Sequence, residues 1–70
     1  MRIRVSDPTL IDDLVEYLRR DDCDAVQTGR NVVAVSLPHA LPYETARFEL
    51  DFRLGDWRLE QPGATAIVID

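Results

Sequence analysis

The chain has 70 residues, enough for one small domain and too few for two. Its apolar content of 46% supports a folded core, and its net charge of −5 sets it against nucleic-acid phosphates and anionic membrane. The eight basic residues are all Arg and run from Arg2 to Arg58 without clustering, so no basic patch offsets that charge.

A domain of this size buries only roughly 60% of the surface its unfolded chain exposes, so a second subunit would help it. The one cysteine, Cys23, excludes a disulfide framework and a four-cysteine zinc site. Met1 is followed by an alternating run, not the apolar core of a signal peptide, and no apolar run approaches the ~18 residues of a membrane span. A cytoplasmic location is the resulting expectation.

Met1–Val5 alternates Ile3 and Val5 with Arg2 and Arg4, the period of a strand with one buried face. Ser6-Asp7-Pro8 then starts a helix: Ser6 or Asp7 can accept the unpaired N–H groups, and Pro8 fits the first helical position, where no donor is needed. Leu10, Ile11, Leu14, Val15 and Leu18 follow at helical spacing. Asp12 and Asp13 near its start and Arg19 and Arg20 near its end complement the helix dipole. The helix ends around Arg20–Asp22 without a glycine.

Cys23–Thr28 reads as a weak strand and Val32–Leu37 as a strong one, with Gly29-Arg30-Asn31 as the turn of a hairpin; Gly and Asn there tolerate positive φ. Two prolines, Pro38 and Pro42, break the chain around His39, and Pro62-Gly63 closes the next segment. Ala64–Asp70 ends the chain as a strand, with Ile67, Val68 and Ile69 as its apolar run.

Between those breaks, Tyr43–Gln61 fits two structures. Phe48, Leu50, Phe52 and Leu54 alternate as a strand would, and Gly55-Asp56 could turn a hairpin. That hairpin sets Arg53 opposite Arg58 and Asp51 opposite Glu60, and like charges across a ladder are destabilising. As a helix, the segment pairs Glu49 with Arg53 and Arg47 with Asp51 four residues apart, and Glu44 lies in its first turn. Tyr43, Ala46, Leu50, Leu54 and Trp57 then share one face, Gly55 costs about 1 kcal/mol, and Pro62-Gly63 stops the helix. Charge pairing favours the helix.

The order β-α-β-β-α-β resembles the ferredoxin-like sandwich, also used by ACT-type regulatory domains. The likeness spans the chain as element order. It implies an α+β fold with an antiparallel four-stranded sheet of order 4-1-3-2 and both helices on one face. The closing LPHALPYETARFELDFRLGDWRLEQPGATAIVID is also similar to the ends of small uncharacterised proteins of high-GC bacteria, which carry over no activity.

Two apolar surfaces are then left over. Phe48, Phe52, Gly55 and Leu59 lie roughly opposite Leu50 and Trp57 on the second helix, although a surface helix needs one apolar face. Either the first helix and the stems of Arg47 and Arg58 shield a wide stripe, or Phe48, Phe52 and Leu59 meet another chain. The open sheet face, carrying Val32, Ala34 and Val68 between Arg2 and Arg4, could likewise meet a twin sheet or a ligand.

No constellation for catalysis can be assembled. Cys23 has no nearby Cys or His and reads as a small buried hydrophobe. His39 lies between prolines without an acid at motif spacing, and reads as a loop histidine. Asp21-Asp22-Cys23-Asp24 lacks the spaced oxygen ligands and glycine of a calcium loop. The Cys-x-x-Cys of metal carriers of this topology is absent, as are the aromatics that its RNA-binding versions carry on the central strands.

The expectation is a non-enzymatic interaction or dimerisation module without cofactor or metal. It would bind a second copy or another protein through the open sheet face or through Phe48, Phe52 and Leu59. The alternative is an ACT-like regulatory domain that holds a small-molecule ligand at a subunit interface.

Overall fold

The computed structural model describes residues 1–38 and 41–70. His39, read above as a loop histidine, lies outside the described residues. The elements are β1 (Arg2–Val5), a short 3₁₀ turn (Pro8–Leu10), α1 (Ile11–Arg20), β2 (Asp24–Gln27), β3 (Val32–Ser36), α2 (Tyr43–Glu60) and β4 (Ala66–Val68).

The expected element order is present, with shorter strands. The four strands form one sheet of order β2-β3-β1-β4, and every neighbouring pair is antiparallel. Read from the other edge, this is the expected order 4-1-3-2. Ile3 lies opposite both Val33 and Val68, so the two strands richest in β-branched and alternating residues hold the centre. Asn31 extends the β1–β3 pairing: its carbonyl accepts from the Val5 N–H at 2.8 Å, and its side-chain amide donates to the Val5 carbonyl at 2.8 Å.

Both helices cover the same face of the sheet. Ile3, Val5, Cys23, Ala25, Val33, Val35, Ala66 and Val68 meet Ile11, Leu14, Leu18, Leu50, Leu54 and Trp57 in a single buried cluster. The cluster is apolar throughout the described residues. Burial of this kind contributes about 1.5–3 kcal/mol per large side chain, which offsets the ordering entropy of so short a chain.

The local signals act with some changes. Asp7 does cap, its carboxylate accepting from the Thr9 N–H at 3.0 Å, but Pro8 opens a 3₁₀ turn and the α-helix proper begins only at Ile11. The end of α1 needs a left-handed residue, and Asp22 supplies it at φ 64°. This explains how the helix stops without a glycine, since Asp tolerates that region better than most residues. The Gly29-Arg30-Asn31 turn closes without positive φ, contrary to the mechanism given above. Positive φ falls instead at Asp22 and at Gly63, where φ is 88° just beyond α2.

Tyr43–Glu60 is one helix of 18 residues, and the hairpin is excluded. Its core face is narrower than expected. Leu50, Leu54 and Trp57 are buried, but Tyr43 is exposed and Ala46 only half-buried. Val68 also corrects the reading of the open face. It lies opposite Ile3 with its side chain in the core, whereas Ile67 points outward beside Arg4. The run Ile67-Val68-Ile69 is uniformly apolar, so its alternation gave no register; the pairing with β1 supplied it.

Leu54, 1% exposed, sits between the helices and the sheet. Leu54→Ala should cost about 2–5 kcal/mol, comparable to the whole stability of a domain this small. A urea titration followed by circular dichroism should find the variant largely unfolded in buffer at 25 °C.

Candidate interaction surface on the outer face of the second helix

At 100° per residue, Phe48, Phe52 and Leu59 lie about 180° from the buried face of α2. They therefore point straight away from the sheet. Their exposures are 76%, 68% and 81%, so neither α1 nor the Arg47 and Arg58 stems shield them. Of the two accounts left open above, the wide shielded stripe does not hold. The three side chains stand in line as an apolar ridge along the helix, with Gly55 as a gap between Phe52 and Leu59. A Cβ built on Gly55 would meet nothing nearer than the Arg58 Nη2 atom at 3.9 Å.

The rotation of α2 that creates this ridge is set by Trp57. Its indole is fully buried, and its Nε1–H donates to Asp13 Oδ2 at 2.9 Å. Gln61 Nε2 donates to the same oxygen at 3.1 Å. One carboxylate of α1 thus fixes the end of α2, and the sole polar atom of the buried indole is satisfied.

One flank of the ridge forms the groove between the helices. Tyr17, Asp21, Glu49, Phe52, Arg53 and Asp56 line a shallow cleft of about 270 Å³ there. Arg53 organises it, reaching Asp21 at 2.6 Å and Glu49 at 3.0 Å. The hydrogen bond it donates to Glu49 and the charge of Asp21 hold the guanidinium still more firmly in its charged form. The Tyr17 hydroxyl donates to the Arg53 carbonyl at 3.2 Å. Burial, reinforced by Asp21, Asp56 and Glu60, pushes the Tyr17 phenol above its ordinary value, so it remains a donor. The Glu49–Arg53 pair follows from spacing; the Asp21–Arg53 pair joins residues far apart in sequence, and only the packing of α1 against α2 reveals it.

The open sheet face is the second candidate. Val26 and Ile67 are half exposed, Val32, Ala34 and Ile69 are partly covered, and Arg2 and Arg4 stand among them. Arg2 is engaged by Asp70, Nε to Oδ2 at 2.7 Å. The large exposed apolar side chains of this face are fewer and less exposed than those of the α2 ridge. Sequence reading missed Val26 and Ile67 here. Val26 alternates with Ala25 and could have been found from strand period; Ile67 could not.

Cys23 is a buried core residue, and burial raises its thiol above the ordinary value, the opposite of what a nucleophile needs. No helix among the described residues is long and apolar enough to cross a membrane. Compared with family models, curated proteins and solved structures, the chain matches none.

Two predictions arise from these contacts. Asp13→Ala strands the buried indole N–H and should lower stability by about 1–3 kcal/mol by urea denaturation. For Cys23 and Tyr17 the native pKa lies above the unfolded one, so both stay neutral in the fold after the unfolded chain has begun to ionise. Their contribution is intact below about pH 8 and declines as pH rises from there. The urea midpoint should therefore fall between pH 7 and pH 10, while Cys23 reacts with a thiol reagent at pH 8 only as fast as the protein opens.

Proposed function

We propose that this chain is a non-enzymatic interaction module, and that the Phe48, Phe52 and Leu59 ridge is its working surface. The observation that carries the reading is the exposure of all three side chains on a helix whose opposite face already fills the core. Three large apolar groups in one line make a patch of roughly 400 Å², within the range of the largest and often functional patch on a monomer. Isolated exposed apolar residues need no explanation, but an ordered row on a rigid helix does. The ridge binds without chemistry: it offers apolar area, a glycine gap and charged borders.

The ferredoxin-like arrangement belongs to the same proposal. The element order and the sheet order support it, and they leave one sheet face and one helix face free for partners. An ACT-like regulatory role rests on that topology alone, and the α2 ridge, being convex, suits a protein surface better than a small molecule.

A photoreactive benzophenone amino acid placed at Phe48 in the producing cells tests the reading. The expected result is a discrete cross-linked species, either a doubled mass or a second protein, that is lost when Phe52→Asp is added. Phe52 is exposed, so that substitution should change the urea midpoint by no more than about 0.5 kcal/mol of stability. Labelling no stronger than at Arg30, an exposed turn residue, would overturn the role assigned to the ridge.

A further inference from the structure

We infer that the occupant of this ridge is a second copy of the chain, with the two α2 helices packed antiparallel about a two-fold axis. The inference rests on the interaction role proposed above and names its partner. It comes from the self-complementarity of the ridge in shape and in charge.

Phe48, Phe52, Gly55 and Leu59 follow one another at spacings of four, three and four residues, the seam spacing by which two helices interlock. The seam is uneven: it has two aromatic knobs, one gap and one Leu. A two-fold axis passing between Arg53 and Leu54 sets Phe52 opposite the partner's Gly55, and Phe48 opposite the partner's Leu59. The largest side chain meets the smallest, twice, by the same operation. The gap is real space, since the nearest atom to a Cβ at Gly55 is 3.9 Å away and belongs to the flexible end of Arg58. A parallel pairing would instead set Phe52 against Phe52 and leave two glycines facing across a void.

Charge gives the same orientation. The borders of the ridge are Asp51 and Arg58 on one side and Glu49 and Asp56 on the other. In the antiparallel pair, Asp51 of each copy faces the partner's Arg58, which gives two cross-chain ion pairs. In a parallel pair, Asp51 faces the partner's Asp56, acid against acid. Asp51 makes no ion pair among the described residues, and Arg58 spends only its Nη1 on the Ala66 carbonyl at 2.9 Å, with Nη2 lying at the Gly55 gap. On the other flank Glu49 faces the partner's Asp56, a like-charge contact. Glu49 is already neutralised within its own chain by Arg53 at 3.0 Å.

The area places the pairing among small, transient interfaces. Two ridges of roughly 400 Å² bury about 800 Å² together, and their borders bring this near the ~1,200 Å² lower limit of specific interfaces. The dimer is therefore reversible, with a Kd in the micromolar range, and its copies exchange.

Sedimentation equilibrium of the purified chain between about 5 and about 500 µM tests the pairing. The parent should show a monomer–dimer equilibrium. Gly55→Leu decides the geometry because its two effects have opposite signs. It should raise Tm by roughly 4 °C, since glycine is a poor helix former, and raise the dimer Kd more than tenfold, since the partner's Phe52 loses its seat. Were the ridge merely a sticky strip, added apolar surface at residue 55 would leave association unchanged or strengthen it, and that result would overturn the antiparallel pairing while leaving the interaction role intact. Asp51→Arg and Arg58→Glu should each weaken the dimer several-fold, and the double variant should restore it; failure of that rescue would also count against the pairing. A parent that stays monomeric at the highest concentration would overturn the second copy as occupant. The in-cell cross-link at Phe48 then separates the two readings: a heterologous adduct keeps the interaction role, and no adduct removes both.

Discussion

The rotation of α2 about its own axis is the constraint from which the rest of this structure follows. Trp57 sets it. A fully buried indole can satisfy its N–H only where a partner waits, and Asp13 of α1 is that partner at 2.9 Å. With Trp57 held there, Leu50 and Leu54 must face the sheet, and Phe48, Phe52 and Leu59 must face away from it. A turn of the helix that buried the Phe pair would bring Glu49 and Asp56 toward the sheet and leave the indole in water. Exposure of the ridge is thus the lesser cost of two, fixed by a side chain that does not belong to the ridge.

The second consequence is architectural. Four strands and two helices form two layers, so one face of the sheet and one face of each helix remain outside. α1 answers this with charge: Asp12, Glu16, Arg19 and Arg20 lie outward, and Ile11, Leu14 and Leu18 inward. The open sheet face answers it in part, setting Arg2 and Arg4 among modest apolar side chains. α2 alone does not. The contrast between two helices of one small domain is what singles out its outer face, because the same solvent and the same core act on both.

Much of the fold was legible in the residues. The period switch at Ser6-Asp7-Pro8, the stripe Ile11, Leu14, Leu18, the β-branched run Val32–Leu37 and the stop at Pro62-Gly63 are local signals with local causes, and each acts in the folded chain. The opposing charges Glu49 and Arg53 correctly chose helix over hairpin, since a pair four residues apart needs no tertiary partner to form. The ridge Phe48, Phe52, Leu59 was legible too, because helical spacing fixes which residues share a face. Register was less legible. Val68 and Ile67 exchange sides relative to expectation because a uniformly apolar strand carries no alternation of its own; pairing with Ile3 and Arg4 assigns the faces. Tyr43 shares the core side of the helical wheel yet stays exposed, since a wheel gives direction and says nothing of how far the sheet extends beneath.

The sequence by itself thus determined the elements, their order and the two-sided character of α2, because caps, periodicity and near-neighbour charges act over a few residues. It also bounded the chemistry, since a lone cysteine and a lone histidine offer few constellations. Only the tertiary structure decided how far along α2 the core face would extend, how the last strand would turn its side chains, and that Asp21 would reach across to Arg53. Those outcomes depend on contacts between residues tens of positions apart, whose energies exist only once the sheet has brought them together. The outer ridge belongs to both: the spacing of Phe48, Phe52 and Leu59 placed them in line, and the burial of Trp57 left that line in the open.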